Sequence, residues 1–145
     1  MLKKIFNQLN NSVKTKGSLK NCTNYLKNFN YHQLTTNELS NIKFNNNCYQ
    51  RNLVYQTDDL ECLLLCWKPN QSTPYHYHPS QGCIYKILQG NMMEYIKSVD
   101  NQIYFQQLNE NKIGYIDDTI GTHKMVNGDK NCISLHFYSP PNFYK

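Results

Sequence analysis

From Cys48 onward the chain reads as a series of short strand-like runs divided by turn signals, and no other feature constrains its fold as much. The runs are 48–56, 60–68, 74–78, 83–89, 91–99, 102–108, 112–116, 124–126 and 133–138. Between them fall Asp58-Asp59, Pro69-Asn70, Pro79-Ser80, Gly90-Asn91, Asp100-Asn101, Asp117-Asp118 and Asn127-Gly128, the residue types that make tight turns. Many short strands at a spacing of about 8–12 residues predict a mainly β sandwich or barrel.

The first 45 residues read differently. Leu2, Ile5, Phe6, Leu9 and Val13 share one face of a helix. Ser18 or Asn21 is placed to cap a second helix through about Asn30, and Thr36, followed by Glu38 and Leu39, to start a short third one. A length of 145 residues suits one domain, here a helical part over 1–45 and a barrel over 46–145, with no internal repeat and no linker.

Charge bears on partners. Lys3, Lys4, Lys14, Lys16, Lys20 and Lys27 precede the first acid, Glu38, and give +6; residues 38–145 carry nine basic and ten acidic groups, or −1. A nucleic-acid binder spreads a basic stripe over its core surface, so a nearly neutral body argues against that class. The basic first helix resembles a mitochondrial presequence in lacking acids, but it contains no Arg, and packing on the domain is the preferred reading. Most of Cys22, Cys48, Cys62, Cys66, Cys83 and Cys132 are expected to be buried thiols of a reducing, cytoplasmic protein, because no secretory h-region is present and Cys62 and Cys66 sit inside an apolar run. The apolar run Cys62–Trp67 is far too short to cross a membrane.

Two of the five histidines form His76-Tyr77-His78. On a strand, positions two apart share a face, and paired inward imidazoles need something to use their lone pairs. A metal does so, although a pair of surface histidines has the same spacing. His123, after a strand and a turn at Gly121, is the candidate third ligand, with a structural histidine as the alternative. Three nitrogen ligands leave positions open for substrate and oxygen, but they do not choose between iron and zinc. On the last run Ser134, His136 and Tyr138 share one face, and Ile133, Leu135 and Phe137 share the other. The polar row is either an active-site wall or a solvent-facing edge. Arg51 is the only Arg among fifteen basic residues, which fits a bidentate task or an ordinary surface cation.

Taken together, these blocks resemble the cysteine dioxygenase family. They are Tyr49-Gln-Arg51-Asn-Leu-Val, Leu65-Cys-Trp67, His76-x-His78-x4-Cys83, Leu88-Gln-Gly90-Asn91, Tyr115-Ile-Asp-Asp-Thr-Ile-Gly121-x-His123 and Ser134-Leu-His136-Phe-Tyr138-Ser-Pro-Pro141, in the family's order. The likeness covers residues 48–142 well and the helical part loosely. It implies a cupin barrel, the jelly-roll-like double-stranded β-helix, with one Fe(2+) held by His76, His78 and His123. It implies Arg51 as the carboxylate receptor helped by Tyr49, Tyr138 as the active-site phenol, and His136 and Ser134 as residues that orient it. Animal-type enzymes join a cysteine matching Cys83 to that tyrosine, so the resemblance extends to a Cys83–Tyr138 thioether. Cys83 also stands where other cupins carry a Glu ligand, which speaks against oxalate- or germin-like cupins. A cis peptide before Pro140 is implied as well. The animal-type enzymes continue for a further segment beyond the position of Lys145, which would supply a covering element near the pocket mouth.

The activity so implied adds both atoms of O2 to the sulfur of L-cysteine, giving the sulfinic acid, in an enzyme expected to be monomeric. The alternatives are a dioxygenase of cysteamine or 3-mercaptopropionate, a metal-binding cupin without turnover, and a zinc hydrolase.

Overall fold

The computed structural model describes residues 1–144. Helix α1 spans Leu2–Lys16 and α2 spans Thr36–Leu39, with single 3-10 turns at Thr23–Leu26 and Tyr31–Gln33 between them. Eight strands follow: β1 Gln50–Gln56, β2 Glu61–Trp67, β3 Cys83–Gln89, β4 Met92–Ser98, β5 Ile103–Leu108, β6 Ile113–Ile116, β7 Gly121–Asn127 and β8 Cys132–Tyr138. They form two antiparallel sheets, ordered β1-β2-β8-β3-β6 and β5-β4-β7. Among the described residues no helix is long and apolar enough to cross a membrane.

Strands β2, β3 and β8 are buried almost throughout, because both of their faces are covered. Inward side chains such as Leu63, Leu65, Tyr85 and Tyr138 meet Met92, Leu108 and Met125 of the smaller sheet in one apolar cluster. Outward side chains such as Leu64, Ile84, Leu135 and Phe137 meet Leu2, Phe6, Leu9 and Val13 of α1 in a second. The predicted helical face is thus the face that packs, each large side chain contributing roughly 1.5–3 kcal/mol of burial as an upper figure. A left-handed Gly17 ends the helix, its N–H bonded to the Val13 carbonyl.

The segment between the helices departs from expectation. No second helix forms. Asn21 takes a left-handed φ of 67°, and Asn30 caps a 3-10 turn by accepting from the His32 N–H. Short polar side chains here bond to nearby backbone and compete with helix propagation. The turns are held instead by Lys86, a buried residue of β3 whose ammonium donates to the carbonyls of Leu26 at 2.8 Å and Phe29 at 2.5 Å.

Two expectations about the histidine segments are corrected. Residues 74–78 are not a strand; their pairing with β7 is a single isolated bridge, His76 to His123, preceded by another from Ser72 to Val126. Pro74 and Pro79 bracket the segment and lack the N–H groups that a ladder needs. Strand β7, expected over 124–126, begins at Gly121, so His123 lies on the strand rather than in the turn before it. Gly121 has φ +148°, and a Cβ there would sit 2.1 Å from the Lys97 carbonyl oxygen, so only glycine allows β7 to approach β4 so closely. The solvent-facing edge for β8 is excluded, since β8 lies between β2 and β3. The Ser139–Pro140 peptide is cis.

Candidate metal centre and substrate pocket

His123 points into the barrel from β7, and the 74–78 segment is pinned to β7 so that His76 and His78 face it. The His76 N–H donates to the His123 carbonyl at 3.0 Å, and the His78 N–H to Asp118 at 2.9 Å. The three imidazole centroids lie 4.5–4.9 Å apart, and one nitrogen from each falls within 4.8 Å of the others. The spacing of His76 and His78 therefore brings them together by loop geometry rather than by strand alternation.

Hydrogen bonds select which nitrogen faces the centre. His76 Nδ1 bonds to the Pro74 carbonyl at 2.9 Å, and His123 Nδ1 to the Glu94 carboxylate at 2.7 Å. Both acceptors require a proton on Nδ1, so Nε2 carries the free lone pair in each ring. His78 is buried, and neither of its ring nitrogens has a hydrogen-bond partner among the described residues. An orphaned pair of buried nitrogens is costly unless a ligand satisfies one of them. Burial first, and then the neighbouring imidazoles, pull His76 down to about 4 and His78 to about 2. The cluster thus gathers three imidazole nitrogens, a donor set that fits a divalent transition metal.

Glu94 and Tyr85 were not singled out from the sequence. Glu94 is fully buried on β4; its carboxylate accepts from His123, from the Tyr85 hydroxyl and from Gln106 at 2.8 Å. Burial alone would raise this carboxyl, but those three donors outweigh it and hold it below its ordinary value. A carboxylate behind a ligating imidazole fixes the ring and makes it a better donor. The one available sign was an acid among apolar residues in Met92-Met93-Glu94-Tyr95-Ile96, and these lack the alternation that would have assigned its face.

The opposite wall is a chain of polar groups on β2, β8 and β1. Trp67 Nε1 donates to Ser134 Oγ at 2.9 Å, Ser134 Oγ meets His136 Nε2 at 2.8 Å, and His136 Nδ1 meets the Tyr138 hydroxyl at 3.2 Å. Once Ser134 accepts from Trp67, its own proton is free for His136 Nε2. His136 Nδ1–H then donates to Tyr138, leaving the Tyr138 proton for the cavity. Burial holds His136 well below its ordinary value and the Tyr138 phenol above its own, so both are neutral. Cys83 is the direct cross-strand partner of Tyr138, and both side chains belong to the inner cluster. Tyr49 stacks on Trp67 with centroids 4.5 Å apart and lines the same cavity as Arg51, His76, His123 and Tyr138. Arg51 is half-buried, donates to the Tyr138 hydroxyl at 3.5 Å, and pairs with no carboxylate among the described residues.

Tyr144 was also missed. Its ring lies 4.8 Å from the Arg51 guanidinium carbon and 5.2 Å from the Tyr138 ring, and its hydroxyl donates to the Tyr77 carbonyl at 2.6 Å. All nine residues proposed from the sequence thus line or adjoin one pocket.

Fold and pocket define a cupin with a three-histidine cluster able to hold a metal. Solved structures support the fold alone. A double-stranded β-helix protein from Klebsiella pneumoniae superposes with a TM-score of 0.63 at 17% identity, covering 76% of this chain and 91% of that one. An RmlC-like cupin from Desulfovibrio desulfuricans gives 0.57 at 15% identity, covering 73% and 95%. The family is set by sequence: the family model described as cysteine dioxygenase type I matches residues 26–144, and the chain belongs to the cysteine dioxygenase family. It is 36% identical to cysteine dioxygenase type 1 of Rattus norvegicus and 35% identical to that of Homo sapiens over 109 residues, 68% of this chain and 54% of each relative. The Danio rerio protein is 32% identical over 110 residues. The chain spans about half the length of the curated relatives it matches.

Proposed function

We propose that this protein is an Fe(II)-dependent thiol dioxygenase whose substrate is L-cysteine and whose product is cysteine sulfinic acid. The observation that carries the reading is a half-buried guanidinium that forms no ion pair among the described residues, in one cavity with His76 and His123 of the three-imidazole cluster. A zwitterionic amino acid offers the missing carboxylate, and the planar fork of Arg51 can hold it by two hydrogen bonds. That same feature favours a carboxylate-bearing thiol over cysteamine.

His76, His78 and His123 would hold the iron, which when bound supplies the redox chemistry and acidifies the thiol. The residues of the chain do the rest. Arg51 and Tyr49 orient the substrate from its carboxylate end. The relay from Trp67 through Ser134 and His136 fixes the direction of the Tyr138 hydroxyl, which then donates its proton into the cavity where charge develops on oxygen. Glu94 holds the His123 ring in one tautomer. Apolar walls from Leu65 and Met125 keep the cavity dry and strengthen each of these interactions. In the net reaction the thiol takes up one dioxygen, two sulfur–oxygen bonds form, and no external reductant is needed. Cys83 and Tyr138, direct cross-strand partners, would form a thioether: a carbon–sulfur bond replaces one S–H and one ring C–H bond, and dioxygen takes up the two electrons and two protons.

The test is sulfinate formation from L-cysteine, cysteamine and 3-mercaptopropionate, with iron content measured on the same sample. L-cysteine is expected to give the highest kcat/KM. Cysteamine as the preferred substrate would contradict the role given to Arg51.

A further inference from the structure

Tyr144 stands between two spaces. On one side lies an open groove of about 270 Å3, lined by Arg51, Glu61, Leu63, Asn142 and Tyr144. On the other lies the cavity beside the imidazoles, about 10 Å3 in volume, room for roughly one water. Arg51 borders both spaces, so the groove is the approach by which a small molecule would reach the guanidinium. A cysteine molecule does not fit the inner cavity as it stands.

The contacts of Tyr144 say what closes it. Its ring stands edge-on to His76 at 5.6 Å and to Tyr138 at 5.2 Å, with the Arg51 guanidinium carbon 4.8 Å from its centre. The Tyr138 ring is 5.1 Å from the same carbon, and the two rings meet at 79°, so Arg51 sits in a corner walled by two phenols. The Tyr144 hydroxyl is tied to the carbonyl of Tyr77, the residue between two of the three imidazoles. The tether is a single hydrogen bond, and Tyr144 itself is half-buried rather than locked in the core.

We propose that Tyr144 is the gate of this pocket and a determinant of its specificity. The ring swings off Arg51 to admit a small thiol acid from the groove. It then closes over the Arg51-bound carboxylate and restores its bond to Tyr77. A thiol without a carboxylate leaves Arg51 in its corner with the gate free to reopen, so closure selects for the acid. The specificity half of this inference rests on the thiol dioxygenase reading; the gate itself does not.

The test compares wild type, Tyr144→Phe and Tyr144→Ala, each loaded with ferrous iron and matched for iron content. Tyr144→Ala is expected to raise KM for L-cysteine about tenfold with a smaller change in kcat, and to reduce the preference for L-cysteine over cysteamine by a similar factor. Tyr144→Phe keeps the ring and loses the tether, so KM should rise about threefold. Trp67, the sole tryptophan, lies on the far wall of the cavity and reports access without turnover. Its quenching by acrylamide should at least double in Tyr144→Ala. KM and quenching both within about twofold of wild type would overturn the proposal. If wild type oxidised no thiol, the specificity half would fall with the proposed function, while doubled quenching in Tyr144→Ala would still uphold the gate.

Discussion

Replacing Glu94 by Gln removes one charge and little else. The Glu94 carboxylate receives three hydrogen bonds, from His123 and Tyr85 at one oxygen and from Gln106 at the other. A Gln oxygen can keep the first two, and a flip of the Gln106 amide can meet the new NH2 group. Metal-free stability should therefore stay within about 1 kcal/mol of wild type. The lost charge acts on His123, whose Nδ1 proton no longer meets an anion and whose Nε2 becomes a weaker donor. Partners of this kind alter metal affinity by about 10–100-fold, or about 1.4–2.7 kcal/mol. Anaerobic titration with ferrous iron against a competing chelator measures that shift directly. Glu94→Ala supplies the contrast: three donors lose their acceptor inside the barrel, and urea unfolding should show a loss of about 3 kcal/mol or more. Glu94→Gln with iron affinity within twofold of wild type would refute the argument that the carboxylate tunes His123.

Arg51→Ala should lower kcat/KM for L-cysteine by about 10–100-fold, the worth of a charge-assisted hydrogen-bonded pair, and leave any cysteamine turnover nearly unchanged; parallel steady-state assays decide it. Cys83→Ser should keep iron and abolish any thioether, seen as loss of a mobility difference on a denaturing gel, since the thiol faces Tyr138 across β3 and β8 rather than the imidazole cluster. Lys86→Met should cost about 2 kcal/mol or more in urea unfolding, because the carbonyls of Leu26 and Phe29 lose a buried donor. The metal-free protein should lose stability as pH falls below about 6.5. His76 and His78 have folded values of about 4 and about 2, so the unfolded chain takes up protons first. Each imidazole then contributes a slope of up to about 1.4 kcal/mol per pH unit, measurable from denaturation midpoints. A flat profile between pH 7 and pH 5 would contradict the buried neutral imidazoles.

How much of this was legible in the sequence depended on where the information resides. The α1 face was plain because Leu2, Ile5, Phe6, Leu9 and Val13 repeat at helical spacing and pack on a sheet. The polar row of β8 was plain because alternation assigns Ser134, His136 and Tyr138 to one side; that the side is interior came only with β2 and β3 on either flank. The 74–78 segment misled because its residue types suit a strand, while Pro74 and Pro79 deny it the hydrogen bonds of one. His76 and His78 converge all the same, since two contacts to β7 and Asp118 set the loop. The early chain misled because Asn21 looks like a helix cap but takes a left-handed φ, and Asn30, expected near the helix end, accepts from the His32 N–H and caps a 3-10 turn instead. Glu94 and Tyr144 were beyond reach for a different reason. Their importance lies in partners 29 and 67 positions away along the chain, at His123 and Tyr77, and no local pattern carries such pairings.

The central claim is that three converging imidazoles and one guanidinium make this pocket an oxygenase of small thiol acids. The most direct measurement incubates the iron-loaded protein with L-cysteine under heavy-isotope dioxygen and weighs the product. The account predicts cysteine sulfinic acid with both sulfinyl oxygens labelled, and none from a His123→Ala sample treated in parallel. Unchanged cysteine, or a sulfinate whose oxygen comes from water, would contradict it.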